Sequence, residues 1–323
     1  MVTVIHPGFV KTATTSLQRR VFPNHSQIRF LGLDSGRPEI DRAIHAICRE
    51  DGVYYDHERV RQTFAPHLVS RPDATVVLVS SENFTLYESK DKSLVAERLR
   101  QLFGEAKVFF TIRRQQDVLR SWYLQKLPKY VQGNNFMSFG DWLRIKRLEP
   151  HKSILDDLRY NETIEYYCGL FGRENVAVFL FEDLRVDPEA FARDLAEFVG
   201  VGGDEMHHLL SSAHDNPTIP ASYYRFWKWA SPITPNIGFR VVNRIGQRSF
   251  DSEGRRAAIP ADGEVDSLVA ALCGDGNRRL TDNFGVDLQR AGYHLSASVA
   301  SPSSAHVSSS VRVEVPQTYS ETI

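Results

Sequence analysis

The 323-residue sequence has little cysteine: Cys48, Cys168 and Cys273 are far apart and form no CxxC pair. That excludes a disulfide scaffold and a cysteine-based zinc site. An excess of either charge is also missing, with 39 Lys+Arg against 40 Asp+Glu and a formal net charge of -1. A general duplex binder needs a basic footprint, so no nucleic-acid partner is expected. Net charge leaves a local basic pocket open. No apolar run approaches the ~18 residues of a membrane span. The opening residues MVTVIHPGFVKTATTS have neither a basic leader nor an apolar stretch of secretory length. Arg19-Arg20 is followed by VFPNHSQ, which is not the apolar part of a twin-arginine signal. A cytoplasmic setting is therefore expected.

Several signatures are absent as well. There is no GxSxG elbow and no HExxH pair. Gly200-Val201-Gly202-Gly203 follows a helical pattern instead of a strand and has Glu205 at the third glycine position, so it is no dinucleotide fingerprint. His207, His208 and His214 share no ligand spacing, and no metal is expected.

What is present is ordinary globular material, 42% hydrophobic and 24% charged, enough for a full core. Short runs rich in Val, Ile and Phe predict strands over 2–7, 28–33, 75–80, 107–112 and 175–181. None alternates clearly, as expected of strands covered on both faces. Helical patterns predict helices over 14–21, 39–49, 57–69, 93–103, 116–130, 155–171, 190–199, 223–229 and 268–284. The helix at 190–199 has Asp187 as N-cap, Pro188 at its first position and Gly200 after it; Gly172 closes the helix ending at 171. This alternation predicts an α/β fold with a central parallel sheet and helices on both faces. After Gly202 the pattern loosens. The stretch 214–263 reads as a functional loop or lid, and 296–323, rich in Ser, Val and Pro, as a disordered tail. An aromatic set, Tyr223, Tyr224, Trp227 and Trp229, reads as a helix face packed on the core.

The most informative segment is VIHPGFVKTATTSLQ, residues 4–18. A strand runs into a Pro7-Gly8 turn, then Lys11, then a helix. Four of the five residues 12–16 carry a hydroxyl: Thr12, Thr14, Thr15 and Ser16. Capping needs one hydroxyl; a Lys and four hydroxyls at a helix start are a site for a phosphate-like anion. The triphosphate signature GxxxxGK[ST] is not met, because Val10 and Ile5 occupy its glycine positions.

KTATTSLQ at 11–18 resembles the 5′-phosphosulfate loop of sulfotransferases that use 3′-phosphoadenosine 5′-phosphosulfate (PAPS), commonly Pro-Lys-[Thr/Ser]-Gly-Thr-Thr. Val10 replaces the common Pro and Ala13 the common Gly. Ala13 can serve if its φ is negative. VFFTIRRQQDVLRSWY at 108–123 resembles a second element of that family, a strand ending in Arg with Ser eight residues on and Tyr soon after. Here these are Arg113, Ser121 and Tyr123. The resemblance implies that Arg113 and Ser121 grip the cofactor's 3′-phosphate, with Arg114 as the alternative to Arg113. VAVFLFEDLR at 176–185 and the stretch from NRRL at 277–280 to AGY at 291–293 resemble later parts of the family pattern. The match spans 2 to 293 and implies a P-loop-like nucleotide-binding fold over residues 1–295.

The activity implied is transfer of a sulfuryl group from PAPS to an acceptor hydroxyl, on a saccharide, glycolipid or small metabolite. The implied phosphate-loop contacts are Lys11, Thr12, Ala13, Thr14, Thr15 and Ser16. Lys11 stabilises the leaving phosphate. Glu82, after the strand TVVLVSSENF at 75–84, is the first candidate base, and His6 the second. A lone His in a buried strand is otherwise a hydrogen-bonded core residue. The segment 214–263 is expected to cover the cofactor and shape the acceptor site. Competing readings are a nucleotide-dependent kinase with a degenerate phosphate loop and a non-catalytic nucleotide-binding protein.

Overall fold

The structure is a computed structural model, and it describes residues 1–33, 35–69, 74–89, 91–132, 136–212, 220–230 and 257–296. Five strands form one sheet: β1 Val2–His6, β2 Ile28–Gly32, β3 Val76–Ser80, β4 Lys107–Ile112 and β5 Val176–Leu180. Their spatial order is β2-β3-β1-β4-β5, and every pairing is parallel.

The strands lack hydropathy alternation because both faces are buried. Side chains still alternate between two different cores. Val4, Val76, Leu78 and Phe109 enter one core; Ile5, Val77, Val79, Val108 and Phe110 enter the other. The first core is closed by Leu17, Val21 and Phe22, and by helices α10 Pro188–Val199 and α11 Gly203–Ser212. The second is closed by α2 Pro38–Arg49, α3 His57–Phe64, α4 Lys92–Phe103 and α8 Tyr160–Phe171. A third, mostly helical core joins α5 Gln115–Gln132, α6 Phe139–Leu148, α7 Ile154–Asp157, α12 Ala221–Ala230 and α13 Gly263–Phe284.

After β1 and the loop 7–13 the chain is helical from 14 to 24 but changes type: α1 Thr14–Ser16, a π-helical turn Leu17–Val21, then a 3-10 turn Phe22–Asn24. It packs on the first core and leads to β2 on one side of β1. After β4 the chain returns through α8 on the opposite face and leads to β5 on the other side. Neighbouring strands that send the chain in opposite directions leave a crevice at their carboxyl ends, where α/β proteins bind ligands.

The predicted caps are present. Asp187 accepts the Ala190 N–H at 2.9 Å, Pro188 opens α10, and Gly200 closes it with φ 90. The helix predicted over 155–171 is instead two, α7 and α8. The break brings the buried Asp157 to Lys92 at 2.8 Å and to the Tyr87 N–H at 3.3 Å. The pattern does not loosen at Gly202, since α11 follows at once. Only Met206 and Leu210 of α11 are buried, so its apolar stripe is thin, and Glu205 anchors it by accepting from the Ser26 N–H and Oγ–H at 2.8 and 2.6 Å. The aromatic helix is α12. Trp227 is buried, Tyr223 and Tyr224 pack partly against the third core, and Trp229 is exposed. His214, most of 214–263 and residues 297–323 lie outside the described residues. Among the described residues no helix is long and apolar enough to cross a membrane.

Candidate active site

The loop 7–13 leaves the carboxyl end of β1, the central strand. Gly8 has φ 60, and a Cβ there would stand 2.6 Å from Thr14 Cγ2, so only glycine fits. Three non-glycine residues have positive φ among those described, and two are in this loop: Lys11 (φ 66) and Ala13 (φ 68). The negative φ anticipated for Ala13 is therefore not observed; it adopts the left-handed conformation that glycine takes freely. Left-handed residues on either side of Thr12 are the kind of backbone from which anion-binding nests are built. The loop leads into the start of the helix that follows, whose first N–H groups have no helical acceptor.

The hydroxyls of the loop divide. Thr12 is fully buried and donates to the Phe9 carbonyl at 2.7 Å, with Thr111 Oγ1 at 3.0 Å. Its side chain serves the loop itself. Thr14 is buried, whereas Thr15 and Ser16 are half-buried at the helix start. Lys11 is half-buried beside them, and burial lowers its ammonium from the ordinary value. Glu82 counters that shift and Arg113 adds to it.

Glu82 stands in a 3-10 turn, Glu82–Phe84, at the carboxyl end of β3. The cap of this turn is Ser81, which accepts the Asn83 N–H at 3.2 Å, so the Glu82 carboxylate is not spent on capping. The turn is fixed to the phosphate loop: Thr85 Oγ1 donates to the Gly8 carbonyl at 2.6 Å, and the Ser81 N–H donates to the His6 carbonyl at 3.2 Å. Burial raises the Glu82 carboxyl to about 7, and nearby Lys11 pulls the other way.

His6, the second base candidate, lies apart from the cleft. It is 0% exposed, stacked on Phe109 at 4.4 Å and edge-on to Phe22 at 5.7 Å. A base must reach its proton donor, and this ring is closed off from the cleft. Burial lowers it to about 3.

The two arginines after β4 differ in what they face. Arg114 is held by Asp117 at 2.7 Å and lies 3.8 Å from Glu182, which also accepts the Arg114 N–H at 3.0 Å. Arg113 has no carboxylate contact among the described residues. Its Nη1 donates to the Lys11 carbonyl at 3.1 Å, and its guanidinium lies 4.6 Å from the Phe181 ring centroid. Its Nε is buried without a hydrogen-bond partner among the described residues. Ser121 is half-buried on α5, about 9 Å along the helix axis from Gln115 at 1.5 Å per residue.

Sequence reasoning missed the braces. Tyr160 donates to the Arg113 carbonyl at 2.9 Å and packs on Phe9 at 4.5 Å. Glu182 holds Arg114, and Thr85 holds Gly8. Each acts across elements distant in the chain, where no spacing rule reaches. A cleft of ≈ 400 Å³ opens where α4 and α8 begin, with Tyr87, Lys92, Arg159 and Glu162 on its walls. Both helices run antiparallel to the strands, so it lies at the carboxyl end of the sheet. Among the described residues, no group of His, Cys, Asp or Glu is arranged to hold a metal ion.

The architecture is an α/β fold of P-loop-like type, with one central parallel sheet. More narrowly, it is the sulfotransferase fold. The chain aligns with a sulfotransferase from Alicyclobacillus acidocaldarius at a TM-score of 0.54 and 17% identity, over 90% of this chain and 98% of that one. A mouse sulfotransferase complexed with PAP aligns at a TM-score of 0.40 and 13% identity, over 66% of this chain and 65% of that one. The fold assignment rests on the first. No protein-family model and no curated protein matches the chain.

Proposed function

We propose that the protein is a PAPS-dependent sulfotransferase that sulfates an acceptor hydroxyl. The observation that carries this reading is the unequal state of the two strand-end arginines. Arg114 is neutralised by carboxylates. Arg113 has no carboxylate contact among the described residues and faces the loop, with Nη1 on the Lys11 carbonyl. An anion with two separated phosphates fits that arrangement, one end in the nest of 11–16 and the other on Arg113 and Ser121.

PAPS, when bound, supplies an activated sulfuryl group on its 5′-phosphate. The chain supplies placement and charge. The N–H groups of 11–16 and the hydroxyls of Thr15 and Ser16 hold the 5′-phosphate end. The Lys11 ammonium stabilises the charge left on that phosphate. Glu82, raised to about 7, accepts the proton of the acceptor hydroxyl at neutral pH, where a base is most effective. The cleft walled by Tyr87, Lys92, Arg159 and Glu162 is offered as the acceptor approach. Its charges are largely paired within the protein, Lys92 with Asp157 and Arg159 with Glu162. That suits a neutral hydroxyl compound such as a saccharide or small metabolite.

The reading is tested by thermal shift with adenosine 3′,5′-bisphosphate, ATP and NAD. A rise with the bisphosphate is expected. A rise with ATP alone would overturn it in favour of a kinase.

A further inference from the structure

The phosphate-loop segment is tied near both ends to one buried chain of hydrogen bonds. On the helical side, Gln18 Nε2 donates to Ser80 Oγ at 2.9 Å. Ser80 Oγ lies 2.8 Å from His6 Nδ1. His6 Nε2 lies 3.5 Å from Thr111 Oγ1, which lies 3.0 Å from Thr12 Oγ1. Thr12 donates to the Phe9 carbonyl at 2.7 Å. The chain leaves the helix after the loop, crosses β3, β1 and β4, and re-enters the loop.

Its proton directions follow from its two ends. The Gln18 amide nitrogen only donates, so Ser80 Oγ accepts there. The Phe9 carbonyl only accepts, so the Thr12 proton goes to it. Thr12 then accepts from Thr111, and Thr111 from His6 Nε2–H. With its hydrogen on Nε2, the neutral ring accepts the Ser80 proton at Nδ1. Every donor has one acceptor. A ring protonated at Nδ1 would leave the Ser80 hydroxyl proton without an acceptor in the chain. The stacking of the ring on Phe109, with an interplanar angle of 8°, and its edge contact with Phe22 oppose its turning.

We propose that His6 is a positioning residue, whose neutral Nε2–H tautomer fixes the backbone of loop 8–13 through Thr111 and Ser80. The loop needs such a restraint. Lys11 and Ala13 both hold left-handed backbone that their side chains disfavour, and such a conformation persists only where its surroundings over-determine it. The restraint keeps the Lys11 ammonium and the nest N–H groups aimed before any anion arrives. The proposal rests on the sulfotransferase reading only for the choice of ligand in one arm of its test.

Three variants separate positioning from core filling. Gln at position 6 can still offer an amide N–H near the Nε2 position, whereas Asn reaches only as far as Nδ1. Thr111→Val removes the link with almost no change of shape. Hydrogen exchange of the 9–13 amides is measured without ligand, and affinity for adenosine 3′,5′-bisphosphate by calorimetry. Thr111→Val and His6→Asn are expected to exchange these amides about tenfold faster and to bind about fivefold more weakly, matching loss of one net hydrogen bond. His6→Gln is expected within twofold of the parent on both. If Thr111→Val leaves both within twofold, or if His6→Gln is as damaging as His6→Asn, the proposal is overturned. If the parent itself fails to bind the bisphosphate, the sulfotransferase reading fails and the exchange data still decide this one. Nitrogen-15 spectra of the unaltered protein add a check that no variant can confound: Nε2–H is expected from pH 5 to 8, and an Nδ1–H or charged ring overturns the assignment.

Discussion

Arg113 reaches across the crevice between β1 and β4 and donates to the Lys11 carbonyl at 3.1 Å. One bond thus joins the end of β4 to the left-handed residue of the phosphate loop. Arg113 is itself held from behind, since Tyr160 donates to its carbonyl at 2.9 Å.

This geometry separates the two arginines by experiment. Arg113→Ala removes the guanidinium that faces the loop without a carboxylate contact among the described residues. It is expected to weaken binding of adenosine 3′,5′-bisphosphate by ~10- to 100-fold, the range for hydrogen bonds to a charged group. Arg114→Ala breaks contacts to Asp117 and Glu182. It is expected to lower the melting temperature, because it leaves the mostly buried Glu182 without its cation, and to leave affinity within about threefold. Calorimetric titration of both variants checks this, and the reverse ranking would move the phosphate contact to Arg114.

Glu82 makes a prediction about pH. Burial raises its carboxyl to about 7, so it becomes an ionised base only as pH rises past that value. kcat/KM is expected to rise through a limb with a midpoint near 7 and to lose that limb in Glu82→Gln, with turnover falling ~100-fold or more. The stability sign is opposite. A carboxyl that titrates higher when folded than when unfolded binds more protons in the native state, so its contribution declines as pH climbs from the unfolded carboxyl range toward 7. Glu82→Gln should therefore melt higher than the parent at pH 8 and close to it at pH 4.5. A melting curve at each pH and a pH–rate profile test the two signs together.

The sheet was legible in the sequence because burial on both faces leaves uninterrupted Val, Ile and Phe runs, and all five strands are found within two residues of their predicted bounds. The carboxyl-end loops were legible for a related reason: Lys11, Glu82 and Arg113 each lie within five residues of the end of such a run. α11 was not legible, since two buried side chains make no stripe. The surroundings of His6, the second base candidate, were not legible, because sequence does not report what lies over a strand. It takes Phe109 and Phe22, from other elements, to seal it. The neutralisation of Arg114 by Glu182 is likewise invisible along the chain, being a contact across 68 residues.

Lys11 offers the most direct test of mechanism. Its half-buried ammonium interacts electrostatically with both Glu82 and Arg113. Lys11→Ala is expected to lower kcat by about 10²- to 10³-fold, the usual loss on removing one group that stabilises developing charge. Circular dichroism should remain that of the parent, because no hydrogen bond of the fold uses the ammonium among the described residues. Addition of EDTA should leave the parent rate unchanged, since in the proposed mechanism Lys11 and Arg113 meet the charge of the phosphates. A Lys11→Ala protein that turned over at the parent rate would sink the assignment of Lys11.

Ala13 carries the last prediction. Its φ of 68 is the conformation glycine adopts freely and alanine resists, at a cost of about 1 kcal/mol or more. Ala13→Gly relieves that cost but gives the unfolded chain more freedom, which offsets part of the gain. The net expectation is a gain of about 0.5 kcal/mol. Ala13→Val pushes the other way, because a β-branched residue is a genuine outlier at positive φ. It should destabilise by about 1 kcal/mol or more and weaken anion binding by opening the nest. Urea denaturation of the three proteins orders them as Gly, Ala, Val from most to least stable. If Val matched Ala, residue 13 would have negative φ in solution and the nest would lose one of its two left-handed residues.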